Sequence, residues 1–167
     1  MTQPVPLARP EAPPALRLVA LGVPLLLVAL AFVPDPDWPG IHWDLLVLGV
    51  LIALLFQFAP RRLAYTLTPE ALVIRRLLGR TVLPYAGMRA RRSAGRLGVR
   101  TFGAGLPGYL TGHFSFGPDP ASRVRAAASR GEGCVVVEVG GRAYFLTPAD
   151  SAAFLRALEA RGAVVSA

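Results

Sequence analysis

Cysteine occurs once in this 167-residue chain, histidine twice and lysine not at all. A single cysteine permits no internal disulfide, so the fold has to stand on its apolar core. Cys134 lies in the run Cys134-Val135-Val136-Val137 and reads as a small buried hydrophobe; a lone thiol fits a reducing compartment. His42 and His113 fall on opposite sides of the expected membrane, which excludes a histidine metal cluster. The six acids after residue 60 are scattered and form no carboxylate pair along the sequence. No nucleophile with its base and no phosphate loop can be assembled, so an enzyme is not expected, nor a catalytic residue, metal or cofactor. The missing lysine goes with abundant Ala, Gly and Pro and carries no mechanism.

The chain does have arginine and long apolar runs, and they are separated. Residues 1–60 hold two arginines and four acids, a balance of −2, whereas residues 61–167 hold sixteen arginines and six acids, a balance of +10. Leu18 to Pro34 is seventeen residues without a charge, and Leu45 to Pro60 is sixteen. A spanning helix needs about 17–25 residues, so both runs are short and rely on interfacial anchors, Trp43 at one end of the second and Arg61-Arg62 at the other. The connector from Pro34 to His42 contains three prolines, which cannot continue a helix, and it carries aspartates but no arginine. Arg9 and Arg17 precede the first run and Arg61 and Arg62 follow the second, so the positive-inside bias puts both termini in the cytoplasm of a multi-pass inner-membrane protein. Two alternatives are a cleaved signal peptide, for which Ala29-Leu30-Ala31 supplies a small-residue site, and a buried helical hairpin. The first leaves the basic domain cytoplasmic.

After Arg62 the apolar period becomes that of strands. Leu63, Tyr65 and Leu67 alternate with Ala64 and Thr66, Thr68-Pro69-Glu70 supplies a turn, and strands are expected at Leu72–Leu78, Thr81–Tyr85, Arg123–Ser129, Cys134–Val139 and Arg142–Leu146. Gly140-Gly141 is a two-residue hairpin signal. About seven strands in a meander then lead to one amphipathic helix of about fourteen residues, with Thr147 as N-cap, Pro148 at the first position and Phe154, Leu155 and Leu158 as its apolar stripe.

Tyr65-Thr66-Leu67-Thr68-Pro69-Glu70-Ala71-Leu72-Val73-Ile74, Tyr85 before Met88, the stretch Phe102 to Tyr109 and Phe145-Leu146-Thr147-Pro148-Ala149-Asp150 leading to Phe154 resemble the bacterial PH-like domain family of membrane-anchored proteins. The resemblance covers roughly residues 62–161 and implies a PH-like split barrel or sheet capped by one C-terminal helix; it carries over no catalytic residue. The chain thus divides into a disordered, proline-rich lead (1–15), a two-helix transmembrane hairpin (16–60, spans about 16–34 and 43–60) and a cytoplasmic PH-like domain (61–167).

Two features compete for function. Gly103-Ala104-Gly105-Leu106-Pro107-Gly108 spells G-x-G-x-x-G, but the residues that follow have no helical period, so the dinucleotide reading fails. Gly103, Gly105, Gly108 and Gly112 are instead candidates for a bulged connection or a mobile loop that meets a partner. Between residues 61 and 100 lie ten arginines and one acid, Glu70. Arg61, Arg62, Arg75, Arg76, Arg80, Arg89, Arg91 and Arg92 are the candidate contacts to an anionic surface, with Arg75, Arg89 and Arg91 expected to be exposed together. Lipid headgroups, a membrane-protein partner and self-association are the partner classes they suit; nucleic acid is disfavoured, because the few aromatics lie in core positions. The competing account is that these arginines only set orientation during insertion.

Overall fold

The structure is a computed structural model that describes residues 2–11, 14–34, 40–117 and 123–166; the centre of the expected connector, 35–39, lies outside them. Two helices precede the β domain, α1 (Pro14–Leu30) and α2 (Trp43–Arg62). The His42 N–H donates to the Ala31 carbonyl at 3.0 Å, which closes the pair into an antiparallel hairpin. The helices touch closely at Gly49, where a Cβ would lie 3.0 Å from both the Pro24 carbonyl oxygen and Val28 Cγ2. Only α2, with 20 residues, is long and apolar enough to cross a membrane among the described residues. α1 has 17 residues and ends at Leu30, short of the expected boundary at 34. Asp44 sits in the first turn of α2 and Arg61 and Arg62 in its last, both favourable to the helix dipole.

One residue, Leu63, separates α2 from the first strand of the domain. A four-stranded sheet has the order β1-β2-β3-β4, formed by β1 (Gln3–Val5), β2 (Ala64–Leu67), β3 (Ala71–Arg75) and β4 (Arg80–Pro84). The seven-stranded sheet is built from β5 (Arg89–Ser93), β6 (Arg96–Leu106), β7 (Tyr109–Gly117), β8 (Arg123–Ala128), β9 (Cys134–Val139), β10 (Arg142–Leu146) and β11 (Val164–Ser166). Its order is β11-β5-β9-β10-β8-β7-β6, with β8 parallel to β10 and β5 parallel to β11, so it is no simple meander. The expected turns hold: Thr68 Oγ1 both accepts from the Ala71 N–H (3.0 Å) and donates to its carbonyl (2.7 Å). Gly140 and Gly141 carry φ of 56° and 69°, the two positive values of a type I′ hairpin.

Three expectations give way. The lead is not a disordered stretch: Gln3–Val5 pairs antiparallel with β2, the Ala8 N–H donates to Thr147 O (2.9 Å) and Ala149 N–H to Pro6 O (2.8 Å). Its prolines exclude a helix but suit an edge strand. The mobile-loop option for the glycine-rich middle gives way to the other, a bulged connection: it is the β6–β7 hairpin, with register shifts between Leu97 and Phe102. Gly103 and Gly112 face each other in its register, at φ of 111° and 119°, and a Cβ on either would lie 2.1 Å from a partner carbonyl oxygen. Both faces of β7 are covered: alternation gives Tyr109 to the main core, whereas Leu110, Phe114 and Phe116 face a second cluster with Val124, Val136 and Phe145. Finally, α3 (Ser151–Glu159) is nine residues long and capped by Asp150, whose Oδ1 accepts from the Ala153 N–H at 2.9 Å. Thr147 is buried and turned to another use: its Oγ1 accepts from the Ser129 N–H at 2.9 Å.

The main core lies between the two sheets and α3, with Leu63, Tyr65, Leu72, Ile74, Met88, Val135, Val137, Leu146, Phe154 and Leu158 all buried. Tyr65 pins the sheets together. Its hydroxyl donates to the Ala127 carbonyl and accepts from the Thr147 N–H at 3.1 Å. Burial drives its pKa well above the ordinary tyrosine value, so the folded state requires the neutral phenol.

Tyr65→Phe leaves a carbonyl and an N–H buried without partners and should cost about 1–3 kcal/mol, read as a lower unfolding midpoint of the full chain in detergent. Tyr65's contribution is complete below the unfolded pKa, near 10, and is lost as pH rises beyond it; the variant should therefore unfold with a shallower alkaline limb than the parent. Deleting Gln3–Ala8 should expose the β2 edge, and hydrogen exchange at Tyr65–Leu67 should rise by at least tenfold. Unchanged protection there would show that the lead adds nothing to the domain.

Candidate functional site

The strongest charge feature lies where α2 enters the domain. The last turn of α2 supplies Arg61 and Arg62, the end of β3 supplies Arg75, and the following turn supplies Arg76 before Arg80 opens β4. With Ala64 and Gly79 they line an open basin of about 470 Å³ that has no acidic residue in its wall. Gly79, at φ 83°, closes the turn, and the Arg76 N–H donates to the Gly79 carbonyl at 3.0 Å. The turn is held from below by Tyr109, whose hydroxyl accepts from the Leu77 N–H at 2.9 Å.

Register explains how the arginines converge. Arg75 lies opposite Ala64 of β2 on one side and opposite Arg80 of β4 on the other. Directly opposed residues of an antiparallel pair share a face, and like charges in that position are destabilising. Arg76 points one amine at Thr81 Oγ1, 2.6 Å away, while its Nε is buried and finds no acceptor among the described residues. Arg61 lies over the Phe58 ring at 5.8 Å, a cation–π arrangement that ties it to the helix end. The basin is therefore a concentrated positive field with spare donors, suited to a group carrying several anionic oxygens.

The other three candidate arginines lie elsewhere. Arg89, Arg91 and Arg92 are on β5 in the seven-stranded sheet, so the expected joint exposure of Arg75, Arg89 and Arg91 is not found. Arg89 faces Glu138 in register and Arg91 approaches the same carboxylate at 3.7 Å. Arg92 lines a separate recess with Glu11, Arg130 and Glu132, where Arg130 meets Glu11 at 3.3 Å and Arg96 meets Glu132 at 2.7 Å. Acids offset the charge there, which makes that recess a poorer anion site.

Leu78 is the residue that sequence reasoning missed. It stands 87% exposed at the tip of the β3–β4 turn, between the arginines. Its signal is an apolar residue directly before Gly79, at the end of the strand expected over Leu72–Leu78, which in the structure stops at Arg75. The four candidate glycines are strand and turn positions: Gly103, Gly105 and Gly112 lie within the β6–β7 ladder and Gly108 in its turn. His113 is exposed and sits beside the Phe102 ring, centroids 6.3 Å apart. Among the described residues no three His, Cys, Asp or Glu side chains converge on a point.

Comparison with curated proteins and with solved structures gives no significant match. Residues 63–162, from the core residue after α2 to the glycine after α3, match the bacterial PH domain, and the chain belongs to that family.

Proposed function

We propose that this protein is a non-enzymatic, membrane-anchored PH-domain protein whose arginine basin holds anionic lipid headgroups at the cytoplasmic surface of the inner membrane. The observation that carries this reading is the basin at the end of α2, five arginines with no acid and with Arg75 set directly against Arg80. Such a placement costs stability in the empty protein and is offset when phosphate oxygens sit between the guanidinium groups. Each arginine near an anionic leaflet contributes about 1 kcal/mol. Leu78 at the tip of the turn adds an apolar contact that suits the headgroup boundary.

Anchoring is supported by the surface of the helix pair. Leu18, Leu21, Leu25 and Leu51 are more than half exposed, and apolar side chains surround both helices. Water would penalise that surface, whereas lipid would solvate it. In this reading α1 and α2 are two spans, the connector lies outside and both termini are cytoplasmic. α1 is short by a few residues and crosses through local thinning and the reach of Arg17 to the interface.

A second reading, a docking or regulatory subunit of a larger membrane complex, is favoured by β6. It ends the strand order of the larger sheet and leaves Val99 and Phe102 about three-quarters exposed, an open edge of the kind that accepts another strand.

Two measurements test the first reading. A periplasmic reporter fused after Ala167 should stay inactive, and full activity would reverse the orientation. Native mass spectrometry of the full chain with Arg75, Arg76 and Arg80 all changed to Gln should show roughly a hundredfold weaker binding of anionic lipid added to the purified protein, the loss of about 3 kcal/mol. Retention of zwitterionic lipid should not change. Equal retention of anionic lipid by parent and variant would remove headgroup binding and leave the docking reading.

A further inference from the structure

α1 and α2 are close at one level and apart at another. Gly49 brings them into contact against Pro24, Leu27 and Val28. Toward the domain a cleft of about 530 Å³ opens between them, within the size range of ligand sites. Its wall runs from Arg17 through Ala20, Leu21 and Pro24 to Val28 on α1, and from Gln57 through Leu54 and Ala53 to Val50 on α2, with Pro107 of the β6–β7 turn at its base. That turn explains the opening. Gly108 is packed so tightly that a Cβ there would lie 2.9 Å from Pro10 and 3.7 Å from Pro60, so the turn stands between the chain entering α1 and the end of α2. It holds the helix bases apart while Gly49 draws them together further up.

The cleft is polar at one end only. Arg17 and Gln57 lie at the domain end, and every other lining side chain is apolar. From Arg17 to Val28 is eleven residues, about 16 Å at the helical rise, so the cleft follows most of the length of α1. A cleft that is apolar along its length and carries a cation and an amide at one end has the polarity of one lipid, a charged headgroup followed by an acyl chain. A further apolar helix in this cleft would leave Arg17 facing no counter-charge, whereas a phosphate headgroup supplies one.

We infer that the α1–α2 cleft is a binding site for one anionic phospholipid of the cytoplasmic leaflet, its acyl chain lying between Leu21, Leu25, Val50 and Leu54 and its phosphate meeting Arg17 with Gln57 as a second donor. This inference rests on the membrane reading of the hairpin but uses residues separate from the arginine basin.

The test uses the full chain, purified in mild detergent from anionic membranes, with bound lipids counted by native mass spectrometry. Ala53→Trp and the milder Ala53→Leu fill the cleft; both should lose one tightly held lipid, while binding that depends on Arg75, Arg76 and Arg80 persists. Arg17→Gln should keep a lipid in the cleft but lose the preference for anionic over zwitterionic phospholipid by about tenfold. Unchanged lipid count and selectivity in all three variants would overturn the proposal, as would a filled-cleft variant that keeps its lipid but loses a self-associated copy, since the occupant would then be a helix. Release of the parent protein from membranes by alkaline carbonate would instead refute the membrane reading itself, a result that lipid counts alone could not produce.

Discussion

The arrangement depends on a junction one residue long. α2 ends at Arg62, β2 begins at Ala64, and Leu63 between them is buried with Ala59 in the same core that holds Tyr65. A helix and a strand that share a core across a single residue have no freedom to pivot, so the direction of α2 fixes the position of the sheet. The lead secures the opposite side. It pairs with β2, bonds to Thr147 through Ala8 and accepts the Ser129 hydroxyl on the Ala8 carbonyl at 2.8 Å before the chain enters α1. Both helix bases are thus tied into the domain, and the arginines at the end of β3, in the turn after it and at the start of β4 stand beside those of the last turn of α2.

The same coupling links distant glycines to the helix pair. Gly103 and Gly112 adopt a backbone conformation that other residues rarely take, and their close approach lets the two strands of the β6–β7 hairpin pair there, while alternation along β7 gives Tyr109 to the main core and Phe114 and Phe116 to the second. The end of that hairpin is the Pro107–Gly108 turn set between Pro10 and Pro60. Packing on the domain side therefore shapes an opening on the helix side, with no charged group involved.

Local signals were legible in the sequence, and long-range ones were not. α2, the Thr68 turn and the Gly140-Gly141 hairpin each follow from residues within a few positions of one another. The family pattern located the domain within a residue or two. Thr147 misled because its hydroxyl is claimed by Ser129, eighteen residues away, leaving Asp150 to cap α3. The pairing of Gln3–Val5 with β2 depends on an edge some sixty residues distant, and no periodicity can announce it. The arginines were visible as a run, but their division into five that converge and three beside or near acids is decided by register. Arg89 meets Glu138 and Arg75 meets Arg80 only because β5 and β3 belong to different sheets.

That division bears on why the arginines are there. Insertion reads basic residues by their nearness to a span along the chain and by the side on which they lie. Arg61 and Arg62 answer that need directly after α2. It does not ask that Arg75 and Arg80, thirteen and eighteen positions further on, face each other across two strands, nor that the turn between them leave Leu78 exposed. An acid at either position would satisfy the same backbone and relieve the repulsion, as Glu138 does opposite Arg89. Orientation during synthesis would account for Arg61 and Arg62 alone. The convergence of the arginines on one acid-free basin calls for a counter-charge from outside the chain, which the proposed headgroups would supply.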